Sequence, residues 1–411
     1  MKNKNVLIVT TGQPSTNPRM LKEYGALKKA GYQVKVFYSF WADWAVETDE
    51  VLFQSGIIDR KDFVLVGGSP GDNKQQYFVS RLFFKIFHTL SFKLGIGFFN
   101  EWAVSRTAFW LAKAAKKEKA DLYIAHNMGA LPAVVKAAGK LNAKCGFDAE
   151  DYHRGTYNNK QSKEYKLTAT LEEQYMPLCK YITAASPLIG ETYQQILKIN
   201  QLTVVNNVFS IDNIQPFNEE PGVNGELRLF WFSQTMGSDR GLEDVVSALE
   251  LLKGYNIKLT LLGLSSSEYR NSLLNRLSNQ SMLTFMEPVA PTEIFALTAG
   301  AHIGIVSEQL VDENKDVCLA NKLFSYLLAG NCVLASNTRA QKKFLEDNPG
   351  IGVLYNMKDP NSIADALRML YNDRALLNRY RKAALDLGRN IFNWEEESKK
   401  LISLVDKLLL N

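Results

Sequence analysis

The sequence predicts an α/β protein built as two successive doubly wound parallel sheets. Three observations carry this reading. Short apolar runs such as Val6–Val9 and Ile303–Val306 alternate with longer stretches of helical apolar spacing. Val6–Val9, a glycine-containing loop, a helix and Val34–Phe37 make a βαβ unit of ~30 residues. A polar stretch at 216–225, with two glycines and Pro221, then interrupts the series and reads as a linker. A chain of 411 residues has room for two or three domains, each with its own core.

Composition narrows the function classes. Forty-eight basic and 43 acidic residues leave a formal net charge of +5. That is too mild and too dispersed for a dedicated nucleic-acid binder, but it permits weak attraction to an anionic surface. Cys145, Cys179, Cys318 and Cys332 form no CxxC pair and read as reduced thiols, which suits a cytoplasmic protein. His88, His126, His153 and His302 show no metal-ligand spacing. Gly12, Pro14 and Asn17 break any apolar signal-peptide core, and no run approaches ~20 apolar residues.

Taken in order, Val6–Val9 is a buried strand and 10–17 a loop. Asn17 caps a helix with Pro18 at its first position; its apolar face is Met20, Leu21, Tyr24 and Leu27, and Gly31 ends it. The loop lacks GxGxxG, so no dinucleotide fingerprint is present. Arg19 sits beside it as a positive group. Phe63–Val66 is another strand. The segment 77–117 sets ten Phe and Trp residues among Arg81, Lys85, His88 and Lys93. Two readings stand there: a membrane-surface patch or lipid-acceptor pocket, or core helices with their basic residues turned outward.

Leu122–Ala125 is a strand ending at His126, and Lys144–Phe147 one ending at Asp148, Glu150, Asp151 and His153. Parallel sheets bind ligands at the carboxyl ends of their strands. The acidic cluster could bind sugar hydroxyls, act in acid–base chemistry, hold a cation or cap the next helix. Tyr181–Ala184 and Thr203–Val205 complete about seven strands. The second half runs through Leu229–Phe232, a loop to Arg240, a helix from Gly241, then Lys258–Leu262, Leu283–Phe285, Ile303–Val306, Val333–Ala335 and Gly352–Leu354.

The stretch Asn321–Gly330 organises this second half. Asn321 reads as N-cap, Leu323, Phe324, Leu327 and Leu328 share a face, and Gly330 is the C-terminal stop. Lys322 then lies in the first turn. A cation and a helix N-terminus together suit a phosphate, although an exposed surface lysine is the plainer alternative.

These pieces resemble the GT-B glycosyltransferases, most closely the retaining family 4 group. The resemblance rests on Val6–Arg19 with Gly25–Gly31, on Val205–Asp212, on Phe230–Glu243 and on Ala320–Gly330, and it spans nearly the whole chain. It implies two Rossmann-like domains facing a cleft, with a C-terminal helix (391–411) crossing back to the first. The first domain (1–215) would serve the acceptor, and the second (226–390) would bind a nucleoside diphosphate sugar.

The resemblance implies that Arg240 and Lys322 hold the donor diphosphate and stabilise the leaving group without a metal or cofactor. It places His126 near the transferred sugar. Gly12, Asn207, Gly241, Asn321 and Ser325 would complete the donor site, and Arg19, Asp148, Glu150 and Asp151 the acceptor side. The implied activity is retaining transfer to a glycan or lipid-linked acceptor in cell-surface polysaccharide synthesis, in the cytoplasm or at the inner membrane face. An epimerase of the same fold and a non-catalytic sugar- or nucleotide-binding protein are the alternatives. One departure stands out. Ser325 occupies the place of the glutamate that usually accepts bonds from ribose hydroxyls, and Val317 that of the earlier glutamate; Glu308 or Glu313 could supply a carboxylate from the loop.

Overall fold

The computed structural model describes residues 4–217 and 225–410; most of the expected linker, 216–225, lies outside them. The chain forms two compact units, one comprising residues up to Val205 with the terminal segment from Ser398, the other Asn206–Glu397. The terminal helix Trp394–Leu409 ends in the first unit, where the Tyr32 hydroxyl donates to Asp406 and the Lys144 ammonium to the Leu408 carbonyl. Together the two units give the GT-B fold.

The first unit holds a seven-stranded parallel sheet. Its strands are β1 (Asn5–Thr10), β2 (Gln33–Tyr38), β3 (Phe63–Leu65), β4 (Leu122–His126), β5 (Lys144–Ala149), β6 (Tyr181–Ala184) and β7 (Leu202–Val204), in the order β3-β2-β1-β4-β5-β6-β7. The second unit holds six: β8 (Leu227–Thr235), β9 (Ile257–Leu264), β10 (Leu283–Met286), β11 (Ile303–Val306), β12 (Cys332–Ser336) and β13 (Gly352–Tyr355), in the order β10-β9-β8-β11-β12-β13. Helices cover both faces of such sheets, so the central strands are buried throughout, and this is why they read as unbroken apolar runs.

The two orders share one consequence. In each sheet the first strand, β1 or β8, has its successor on one side and the start of the second half, β4 or β11, on the other. The carboxyl ends of β1 with β4, and of β8 with β11, are therefore the topological switch points.

Local chemistry sets the helices around these points. Asn17 caps Pro18–Lys29, accepting from the Met20 amide at 2.9 Å. Asn321 does not cap its helix. It is the first helical residue of Asn321–Ala329, and Ala320, extended at φ −66° and ψ 132°, stands before it with no side-chain cap. The foremost amides of that helix therefore receive no acceptor from a capping side chain. Gly330 ends it at φ +69°, as the sequence predicts.

Close approach holds the helix against the sheet. A Cβ on Gly304 would lie 2.1 Å from the Tyr326 ring, so only glycine lets this helix settle over β11. The Tyr326 hydroxyl donates to the carbonyls of Phe230 at 3.1 Å and Ile305 at 3.2 Å, tying the helix to β8 and β11 together.

The aromatic segment is packed on one side and exposed on the other. Phe83 and Phe87, on the inner side of helix Lys74–His88, pack against Phe109 at 5.3 and 5.7 Å, and Phe87 against Trp102 at 4.9 Å. Phe78 and Phe98 face solvent, 63% and 74% exposed. Among the described residues no helix is long and apolar enough to cross a membrane.

Candidate functional site

Each switch point gathers charged side chains. Beyond β8 and β11 the chain brings together Arg240, Glu308, Lys315 and Lys322. Lys322 is buried rather than a surface lysine, 9% exposed, with its ammonium 3.1 Å from Glu308 Oε1 and 4.7 Å from the centroid of the Trp231 ring. Lys315 reaches the other carboxylate oxygen at 3.5 Å. Of the two loop carboxylates Glu308 and Glu313, Glu308 is buried in these ion pairs and Glu313 is exposed.

The electrostatics are lopsided. Burial pulls the Lys322 ammonium below its ordinary range; Glu308 opposes this, and Arg240 and Lys315 add to the fall. Burial alone would raise the Glu308 carboxyl, but the charges of Lys322, Lys315 and Arg240 outweigh it and hold it at about 2. Three cations thus act on one buried carboxylate. Arg240 has Asp239 at 3.6 Å, and its buried Nε has no hydrogen-bond partner among the described residues. The same holds for Ser307 Oγ, Ser325 Oγ and Trp231 Nε1. A buried polar atom without a partner costs about 1–3 kcal/mol, so this is a place where hydrogen-bonding capacity exceeds what the fold uses.

Arg240 owes its position to Gly241, which turns the chain at φ +68° into helix Leu242–Leu251; a Cβ there would also meet the Gln309 amide at 2.4 Å. Ser325, expected to face the nucleoside, is 1% exposed. Asn321 is exposed at the helix start. Asn207 is half-buried beside Asn206, whose side chain donates to Glu397 at 2.8 Å.

The switch point of the first unit is built differently. Thr10 and His126 pair in register at the ends of β1 and β4, and His126 pairs with Asp148 at the end of β5. Arg19 grips Asp148 with both ends of its guanidinium, Nε to Oδ2 at 2.6 Å and Nη2 to Oδ1 at 2.7 Å, and donates to the Val205 carbonyl at 2.7 Å. Thr183 donates to the same carboxylate. His126, fully buried, holds Glu23 at 2.6 Å through Nε2 and Glu150 at 2.9 Å through Nδ1. Burial would lower the imidazole, but the bonds to Glu150 and Glu23 override it and raise it to about 10. Lys22 is pushed down to about 7, by burial first and by Arg19 second.

The acidic strand-end residues expected on the acceptor side therefore sit in a charge network. Asp148 is 2% exposed; Glu150 is half-buried, shared by His126 and the Asn17 amide at 2.7 Å; Asp151 is half-buried on the following turn. His126, Asp148 and Glu150 offer ligand atoms within 4.8 Å of one another, but a metal ion there would have to displace the Arg19 bonds and the imidazolium proton. His126, expected near a transferred sugar, reaches no surface. Gly12 turns the loop after β1, its amide donating to Thr10 Oγ1 at 3.1 Å and its carbonyl accepting from the Ser39 amide at 3.2 Å.

Sequence reasoning did not single out Glu23, Lys22, Lys315 or Trp231. The spacing of Arg19 and Glu23, four apart on one helix, was a usable signal for the first. Nothing local marks Lys322 and Glu308 as partners.

No family model matches the chain, and no curated protein matches it. Solved structures do. HepE of Anabaena in complex with UDP-glucose superposes with a TM-score of 0.70 at 13% identity, over 99% of this chain and 100% of that one. A glycosyltransferase from Rickettsia africae gives 0.68 at 16%, over all of both chains. S. aureus TarM, solved with fondaparinux, alpha-GlcNAc-glycerol and UDP, gives 0.67 at 11%, over 98% and 99%. At these identities the likeness establishes the fold.

Proposed function

We propose that the chain is a retaining glycosyltransferase that moves a sugar from a nucleoside diphosphate donor to a glycan or lipid-linked acceptor in polysaccharide synthesis. One observation supports this most: Lys322 and Lys315 both pair with a single buried carboxylate at the switch point of the second unit, within the field of Arg240 and beside a helix N-terminus without a side-chain cap. Excess positive charge at that place suits a diphosphate. HepE was solved with UDP-glucose and TarM with UDP, which makes uridine the first base to test.

In this reading Lys322 and Arg240 take up charge on the diphosphate as the bond from the anomeric carbon to the phosphate oxygen breaks. The acceptor hydroxyl attacks from the same face, and its proton passes to the departing phosphate oxygen. Two fixed cations do the neutralisation that a bound metal would otherwise supply. Ser325, buried in its helix, offers the nucleoside no carboxylate where one is usual. The buried network of Arg19, His126 and Asp148 positions the loops after β1 and β5 rather than touching sugar.

Donor hydrolysis and transfer by the native chain, by Arg240→Ala and by Lys322→Ala test the reading. Each substitution should lower turnover on the order of a hundredfold or more. Turnover unchanged in both variants would overturn it. A binding-only protein has one observation in its favour, the buried serine in place of the ribose carboxylate; it would bind nucleotide sugar with no turnover in any variant. The epimerase alternative loses support, because Asp148 and Glu150 are committed to ion pairs.

A further inference from the structure

Helix Lys74–His88 and the π-turn after it, Thr89–Lys93, have two unlike faces. The inner one is the aromatic packing of Phe83 and Phe87 already described. The outer one is apolar and exposed. Phe78, Leu82 and Ile86, four residues apart, make a stripe 63%, 56% and 46% exposed, and the following loop adds Leu94 at 64% and Phe98 at 74%. Large apolar groups clustered in water on one element mark an interaction surface.

Charge is the second observation. No Asp or Glu occurs between Lys74 and Asn100. A cavity of about 670 Å³ opens beside the stripe, lined by Arg81, Lys85, His88, Lys93 and Arg106 with Leu82 and Phe84, and with no carboxylate. Arg81, Lys85 and Lys93 make no salt bridge among the described residues. Arg106 is fixed, donating to the carbonyls of Gly67 at 2.8 Å and Phe40 at 2.9 Å, and no carboxylate answers its charge. Burial first, then repulsion from Arg81, hold its guanidinium below the ordinary value.

Crowded cations without counter-charge, next to an exposed apolar stripe on the same helix, complement an anionic amphiphile. We propose that this face docks on an anionic phospholipid bilayer, with the apolar stripe entering the headgroup boundary and a lipid phosphate seated between Arg81, Lys85 and Lys93. An acidic protein partner would match the charge, but it would leave unexplained why an exposed apolar stripe runs along the same helix as the basic residues. The docking does not depend on the proposed transfer reaction.

Flotation of the full chain tests it, with vesicles of phosphatidylcholine alone and with about one third phosphatidylglycerol, at low and high salt. Binding should appear with the anionic vesicles and fall with salt. The triple variant Arg81→Gln, Lys85→Gln, Lys93→Gln should partition roughly a hundredfold more weakly, at about fivefold per charge. Phe78→Ser with Leu82→Ser and Phe98→Ser should lose at least about tenfold. Both sets alter exposed side chains, so the melting temperature should hold and serve as the check on folding. Three results would overturn the proposal: no flotation with anionic vesicles, equal flotation with neutral ones, or vesicle-independent stabilisation by inorganic phosphate or glycerophosphoglycerol without flotation. Capture by polyglutamate in place of vesicles would point to the protein partner instead.

Discussion

Asp148→Asn is the sharpest test of the first unit. The carboxylate is 2% exposed and takes two bonds from Arg19, at 2.6 and 2.7 Å, and one from Thr183. Asparagine keeps the shape and removes the charge, so the 5%-exposed guanidinium is left with the Val205 carbonyl and no facing anion at bonding distance. Breaking one half of a buried pair costs about 3–5 kcal/mol. For a unit of this size each kcal/mol moves the midpoint by about 2–4 °C, so the first unit's transition should fall by about 6–20 °C. Differential scanning calorimetry near pH 7 reads it. The apolar pair Arg19→Met with Asp148→Leu should recover most of the loss, because a buried ion pair itself contributes little net stability. A shift within about 2 °C for Asp148→Asn would refute the view that this pair holds the loops after β1 and β5.

Other outcomes follow from the same geometry. His126 is raised to about 10, so its contribution is full below the unfolded value near 6.5 and is lost as pH rises through 10; Lys22, lowered to about 7, adds stability as pH rises from 7 towards its unfolded value. The two slopes oppose, so stability should be nearly flat from pH 7 to 10, falling in Lys22→Met and rising in His126→Gln; parallel curves for all three proteins would contradict the network. Glu308, held at about 2, contributes stability present above its unfolded value near 4.5 and lost as pH falls towards 2, and Glu308→Gln should flatten that acid limb in a pH-dependent melting series. Ser325→Ala removes a buried hydroxyl with no partner in the fold, so the calorimetric midpoint should rise, by about 2–4 °C for each kcal/mol recovered. Gly241→Ala should cost about 1–2 kcal/mol in urea unfolding, from its positive φ.

What could be read from the sequence was what repeats locally. Strands buried on both faces show as apolar runs, and Asn17 with Pro18 marks a helix start because capping is a neighbour effect. Asn321 misled for the same reason: its residue type favours capping, but the extended backbone of Ala320 had already taken that place. The ion pairs were not legible. Arg19 and Asp148 stand 129 positions apart, His126 and Glu23 103, and only the winding of the sheet brings them together. The aromatic segment needed the helix packing to show which rings face inward and which face water.

The central claim is that the cations around Glu308 receive a diphosphate, and titration calorimetry with nucleoside diphosphates measures this most directly. Native protein should bind at least one of them, and Arg240→Ala, which removes a half-buried guanidinium without breaking the Lys322–Glu308 pair, should bind it roughly ten- to a hundredfold more weakly. Binding of equal strength in Arg240→Ala, or of no nucleoside diphosphate by the native chain, would contradict it.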